Sequence, residues 1–103
     1  MRGKEKRTAL LAEIIDFCAE RGLQAAIVIP PMHRSLASRF TPAFRENYIY
    51  SFVRQANRRG VPFLNYMDDE RFLDDKYFRN SFFMSDDGAK AFTEIVLKDL
   101  GIL

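Results

Sequence analysis

The stretch Gln24-Ala25-Ala26-Ile27-Val28-Ile29-Pro30-Pro31 decides the fold. Its apolarity is continuous rather than alternating, it is rich in β-branched residues, and two prolines stop it. That pattern predicts a short strand covered on both faces, hence a parallel sheet. Upstream, residues 8–21 have a helical period. Leu10, Ile14 and Cys18 form one i, i+4 row with Leu11 and Ile15 beside it, while Glu13, Asp16 and Glu20 take the other side. Gly22 suits the left-handed position that ends a helix. Downstream, Thr41-Pro42 is an N-cap followed by proline at the first helical position. A second helix is expected over residues 42–58, with Ile49, Phe52, Val53 and Ala56 inward and Gly60 closing it. Val61-Pro62-Phe63-Leu64-Asn65-Tyr66 predicts a second strand, with Pro62 near its start, where a missing N–H is tolerated. Strand, helix, strand is a βαβ unit, expected to be a right-handed crossover. Residues 67–84 are aromatic and acidic without a period, so a long loop is expected there. Ser85 then caps a third helix with Asp86 and Asp87 in its first turn, Ala89, Phe92, Ile95, Val96 and Leu100 on its apolar side, and Gly101 at its end.

The order α–β–α–β–loop–α makes the expected fold class α/β, a small unit with one parallel strand pair. Two strands do not cover three amphipathic helices, and isolated two-stranded sheets are marginal. Missing sequence, a partner chain or an unrecognised strand near residues 77–84 would have to complete the sheet.

Composition bounds the answer from the other side. The chain has 103 residues, which fits a single domain over 1–103 with residues 1–7 expected as a flexible basic N-terminus. Hydrophobic residues make up 48% of it, too many for intrinsic disorder. One cysteine excludes a disulfide scaffold and a cysteine-based zinc site. No apolar run is long enough for a membrane segment, and no secretory h-region follows the charged start. A soluble, cytoplasmic chain is the expectation as the sequence is written; an extracytoplasmic location stays open if a longer parent exists. Residues 1–60 carry 11 basic and 5 acidic side chains and residues 61–103 carry 5 and 9, balances of +6 and −4. Such a dipole can steer a polyanion or pair two copies head to tail, but the basic residues are scattered, as on ordinary solvated helix faces.

Several pieces resemble the C-terminal portion of SGNH (GDSL-type) hydrolases of the bacterial cell-envelope kind, whose domain is a flavodoxin-like three-layer α/β fold. They are the helix near residues 11–22, Ala26-Ile-Val-Ile-Pro-Pro-Met-His33, the strand at 61–66, and Tyr77-Phe-Arg-Asn-Ser-Phe-Phe-Met-Ser-Asp-Asp-Gly-Ala-Lys-Ala-Phe-Thr93. In that family Asp-x-x-His-Leu-Asn-x-x-Gly-Ala-x-x-Phe precedes the final helix, and Gly88, Ala89 and Phe92 stand where the pattern wants them. The resemblance places the family's catalytic aspartate on Asn80 and its histidine on Phe83. A carboxamide has no charge with which to stabilise imidazolium, and a phenyl ring accepts no proton. The family's Gly-Asp-Ser nucleophile block and its oxyanion-hole blocks have no counterpart in this chain. The resemblance therefore implies no catalytic residue here and no independent catalysis. It also suggests that Phe83 plugs a former cleft, buried against Phe78 or Phe82.

His33 follows the first strand, at the end of the sheet where ligands bind in open α/β folds. It is a general base, a pocket residue or an ordinary loop histidine, and no partner is identifiable in the sequence. Pro31, Asn65 and Asp68 lie near the same strand ends and are the further candidates to line a pocket. Ser35 and Ser38 lack a nucleophile-elbow context and look like loop polar residues. The acidic run from Asp68 to Asp75 could hold a divalent cation, but it lacks EF-hand spacing, and a solvated loop explains it better. No metal and no cofactor is expected. Cys18 lies on a helical row as an inert thiol. Phe72, Tyr77, Phe78, Phe82 and Phe83 are either core or an exposed contact surface.

The leading expectation is a degenerate or truncated SGNH-like chain with a structural or self-associating role. An alternative is one part of an esterase or acyltransferase whose serine lies on another chain or upstream. A weaker alternative is nucleic-acid binding through Arg34, Arg39, Arg45, Arg54, Arg58 and Arg59, with nucleic acid an unlikely partner because these residues do not cluster. A homodimer is expected through the uncharged strand edge of Ala26, Ile27, Val28 and Ile29, which lacks the usual protection against strand pairing. Packing through the first helix or the aromatic loop is an alternative dimer. Any small-molecule ligand is unknown.

Overall fold

The computed structural model describes residues 2–80 and 83–102. Helix α1 spans Arg2–Glu20, strand β1 Ile27–Ile29, and α2 is a single turn over Arg34–Ala37. A helical run follows as α3 (Pro42–Arg45), a π-helical stretch Glu46–Tyr50 and α4 (Ser51–Ala56). Strand β2 is Phe63–Asn65, two 3-10 turns lie at Glu70–Phe72 and Asp75–Tyr77, and α5 spans Asp86–Asp99. The architecture is thus mixed α/β with β1 and β2 paired in a two-stranded parallel sheet. Both strands are shorter than expected. The pairing extends one bond past each end, from the Ile27 N–H to the Pro62 carbonyl (2.8 Å) and from the Tyr66 N–H to the Ile29 carbonyl (2.9 Å).

The chain packs as two compact units, Met1–Ile27 with Phe40–Phe63, and Val28–Arg39 with Leu64–Leu103. In the first unit α1 packs on α4, and Ile15, Val53 and Ala56 are its buried residues. The Arg59 guanidinium donates to Asp16 at 2.6 Å. Helix α1 begins at Arg2, so the stretch expected to be a flexible basic tail is helical from that residue onward; Lys, Glu, Arg, Ala and Leu are all strong helix formers. Its buried side is also rotated from the expectation. Ile15 is buried and Leu11 and Cys18 are half-buried, whereas Leu10, Ile14 and Phe17 are 57%, 53% and 50% exposed. In the second helical run the Thr41 hydroxyl accepts from the Phe44 N–H as expected of the N-cap. Val53 and Ala56 are buried, and Ile49 and Phe52 half-buried.

In the second unit the core is aromatic. Tyr66 and Phe72 are buried, and both meet the half-buried Phe92 of α5 edge-on, at 5.3 and 6.0 Å between ring centres. Phe72 also meets Tyr77 edge-on at 5.7 Å. Residues 67–84 are not a featureless loop. Asp69 and Asp74 cap the two 3-10 turns by accepting the N–H of Arg71 and Lys76, each at 2.9 Å, and an antiparallel bridge joins Phe78 to Met84. The Ser85 hydroxyl caps α5 by accepting the Gly88 N–H (3.1 Å), and it donates to the Lys76 carbonyl (2.6 Å). Ala89, expected inside, is exposed, and its neighbour Gly88 is the buried residue of the first turn. Among the described residues no helix is long and apolar enough to cross a membrane.

Candidate functional site around His33

Two prolines end β1 and place His33 at the start of α2, where its imidazole acts as the helix cap. The Nδ1 atom accepts the Ser35 N–H (3.2 Å) and lies 2.8 Å from the Ser35 hydroxyl. A nitrogen that accepts a backbone N–H carries no proton of its own, so the neutral ring carries its hydrogen on Nε2. That atom lies 2.8 Å from Oδ1 of Asp75, the first residue of the second 3-10 turn. The Phe78 ring meets the imidazole edge-on at 5.5 Å. The His33 side chain is 22% exposed, whereas that of Asp75 is 69% exposed. The Arg34 guanidinium is 4.0 Å from the same Asp75 oxygen. A hollow of about 250 Å³ beside the ring is lined by His33, Asp75, Phe78, Arg79 and Asn80.

His33, the one histidine, therefore has the partner that sequence reading did not supply. Asp75 lies 42 residues away. No local spacing connects the two, and Asp75 was hidden in a run of acidic residues. Of the other residues expected to line a pocket, Asp68 lies in a second hollow with Met32, Arg34, Ala37, Met67 and Phe72 among its walls. Pro31 is buried and Asn65 bonds its own turn, its Oδ1 accepting the Met67 N–H at 3.0 Å; neither lines these two hollows.

Asn80 and Phe83, the residues that the resemblance would place at acid and base positions, are used in a local turn. Asn80 Oδ1 accepts the Phe83 N–H (3.0 Å), and the Phe83 carbonyl accepts the N–H groups of Arg79 (2.9 Å) and Asn80 (3.4 Å). The Phe83 ring is 66% exposed, so the expected plug is corrected. Phe82, its other expected neighbour, lies outside the described residues. The rest of the aromatic cluster divides between core and surface, with Phe72 buried and Tyr77 and Phe78 half-buried.

Three carboxylates of the acidic run are engaged, Asp69 and Asp74 as caps of their own turns and Asp75 with His33. Among the described residues no group of three His, Cys, Asp or Glu side chains is placed to hold a metal ion. Asp69, besides its cap, takes the Arg71 guanidinium at 2.6 Å, and that hydrogen bond holds its carboxyl below the usual carboxylate range against the opposing effect of burial. Arg71 also approaches Asp99 at 3.6 Å. Asp99 accepts the Tyr66 hydroxyl at 2.7 Å; burial and then this bond push the phenol up to about 12. The arginines weighed as a nucleic-acid surface are partly engaged: Arg59 with Asp16, Arg54 with Glu46, Arg45 with the Phe40 carbonyl and Arg34 with the Leu73 carbonyl. These bonds draw four of the six side chains into internal contacts. No family model, no curated protein and no solved structure matches this chain.

Proposed function

We propose that this chain is an SGNH-like unit that does not turn over esters through that family's machinery and acts by self-association. The observation that carries the reading is the local closure at Asn80 and Phe83. The positions that the resemblance assigns to acid and base hold a carboxamide bonded to a backbone N–H and an outward phenyl ring. Neither group can move a proton. Self-association is supported by exposed apolar surface on the first unit, although the Arg21 guanidinium lies over the Phe17 ring at 3.6 Å. Leu10, Ile14 and Phe17 recur at i, i+4 and i+7 and are each at least half exposed, and β1 has β2 on one side of a two-stranded sheet. Two copies meeting antiparallel at the open edge of β1 would give a four-stranded sheet.

Two measurements test this. A p-nitrophenyl ester assay with substrate in large excess should show no sustained release above that of heat-treated protein; sustained release would overturn the non-hydrolytic half. Sedimentation should show a species twice the 12.0 kDa chain mass at tens of micromolar. Val28→Pro should split that dimer if the edge is the interface, whereas Ile14→Lys should split it if α1 is. A monomer throughout the range would overturn self-association.

A further inference from the structure

We infer that Ser35 is an activated nucleophile that takes one acyl group from an activated ester, with His33 as its base and Asp75 as the positioning residue. The inference rests on the geometry around His33 and is independent of the family resemblance, whose own serine, acid and base positions it does not use. Three side chains in a row carry it. The Ser35 hydroxyl is 2.8 Å from Nδ1, and Nε2 on the far side of the ring is 2.8 Å from a carboxylate oxygen. A nucleophile within hydrogen-bond reach of a base that is itself oriented by a third group is the arrangement that activates a serine. The tautomer is the required one. The backbone N–H of Ser35 points at Nδ1, so that atom is unprotonated, its single lone pair is shared between this N–H and the Ser35 hydroxyl, and the ring hydrogen lies on Nε2 toward Asp75.

In the step, the Ser35 oxygen forms a bond to the acyl carbon while its proton passes to Nδ1. The tetrahedral intermediate then expels the aryloxide or thiolate, which takes the proton from Nδ1. Asp75 stabilises the transient imidazolium through Nε2. Once Nδ1 is protonated it no longer accepts the Ser35 N–H. That N–H is then released to donate to the developing oxyanion. The next N–H in α2, that of Leu36, is held by the His33 carbonyl at 2.9 Å. One donor is a weak oxyanion site, since removing a single donor from a complete one typically costs about 10²–10³ in rate. The chemistry therefore needs a good leaving group and stops at the ester of Ser35: a single transfer per chain, compatible with the absence of sustained hydrolysis proposed above.

Ser38, exposed at the end of the same turn, provides an internal standard, because its hydroxyl has no imidazole beside it in sequence or in the bonds of α2. Incubating the full chain with p-nitrophenyl acetate and mapping acetyl groups by mass spectrometry should give a single acetyl on Ser35. It should form at least about 100-fold faster than on Ser38, the lower range of general-base assistance. His33→Gln, which keeps an acceptor for the helix cap, should remove that preference, with an unchanged melting curve showing that the fold survives. Asp75→Ala should slow the transfer, and Asp75→Asn, which can still accept the Nε2 hydrogen, should restore part of the rate. A purely structural network would leave Ser35 and Ser38 equally slow in every variant. That result overturns the inference, as would acetylation of Ser35 at an unchanged rate in His33→Gln. Because the readout is one adduct at one residue, it is separate from the turnover that tests the previous reading.

Discussion

Gly88→Ala should destabilise the chain, although alanine is the best helix former and Gly88 lies in the first turn of α5. A β-carbon built on Gly88 would lie 2.8 and 2.9 Å from the carbonyl carbon and Cα of Tyr77, and closest of all to the Tyr77 carbonyl oxygen. These are backbone atoms, so no rotamer change relieves the overlap. The same carbonyl oxygen accepts the Ser85 N–H at 2.8 Å, and the preceding Lys76 carbonyl accepts the Ser85 hydroxyl at 2.6 Å. Moving the 3-10 turn away from α5 therefore strains the helix cap as well. Overpacking of this kind costs roughly 3 kcal/mol at the upper end of its usual range. Replacing glycine by alanine returns about 1 kcal/mol of helix propensity. The net expectation is a loss of about 2 kcal/mol, a melting temperature lower by roughly 8–16 °C for a chain of this size. Thermal and urea unfolding followed by circular dichroism measure it. Ala89→Gly, at the exposed neighbouring position, is the control and should cost about 1 kcal/mol by propensity alone. If Gly88→Ala melts at or above the parent temperature, the close approach of α5 to the Tyr77 turn is wrong.

Two further predictions concern pH. Tyr66 is neutral in the folded chain with its phenol raised to about 12, above an unfolded value near 10. The unfolded chain therefore loses this proton first, and the associated stability is complete below about pH 10 and lost as pH rises toward 12. Urea unfolding across that range should show the fall, and Tyr66→Phe should flatten it at the cost of the bond to Asp99. Asp69 is depressed by the Arg71 guanidinium, so its contribution is present above the ordinary aspartate value near 3.9 and is lost as pH falls through the lower folded value. Asp69→Asn should reduce the slope of the acid limb in the same assay, and an unchanged acid limb would show that the bond to Arg71 contributes nothing in solution.

Much of the local structure was legible because it depends on neighbours in sequence. Thr41 and Ser85 cap helices, and Gly22, Gly60 and Gly101 have positive φ at helix or turn ends, where only glycine is at ease. The two strands are legible as short apolar runs, one stopped by Pro30-Pro31 and one with Pro62 near its start, though each is three residues long. With a single pairing partner, each strand is ordered only where the two overlap. The buried side of α1 was misjudged because Leu10, Ile14 and Phe17 make a row as apolar as the one that contains Ile15, and periodicity does not say which row meets α4. The aspartates between residues 68 and 75 looked like solvent-facing charge. Asp69 and Asp74 in fact start 3-10 turns as their N-caps, a signal present as an aspartate two residues before each bonded N–H.

The site around His33 divides the same way. Sequence alone determined that a lone histidine follows a strand stopped by two prolines, with a serine two residues on, because chain direction and helix capping are set by adjacent residues. Tertiary structure alone decided that Asp75 meets Nε2, that Asn80 closes on the Phe83 backbone, and that the Phe83 ring faces solvent. The His33–Asp75 pairing joins segments 42 residues apart through the packing of an aromatic core around Tyr66, Phe72 and Phe92. Such packing is a property of volume and ring geometry summed over many residues, and no spacing along the chain encodes it.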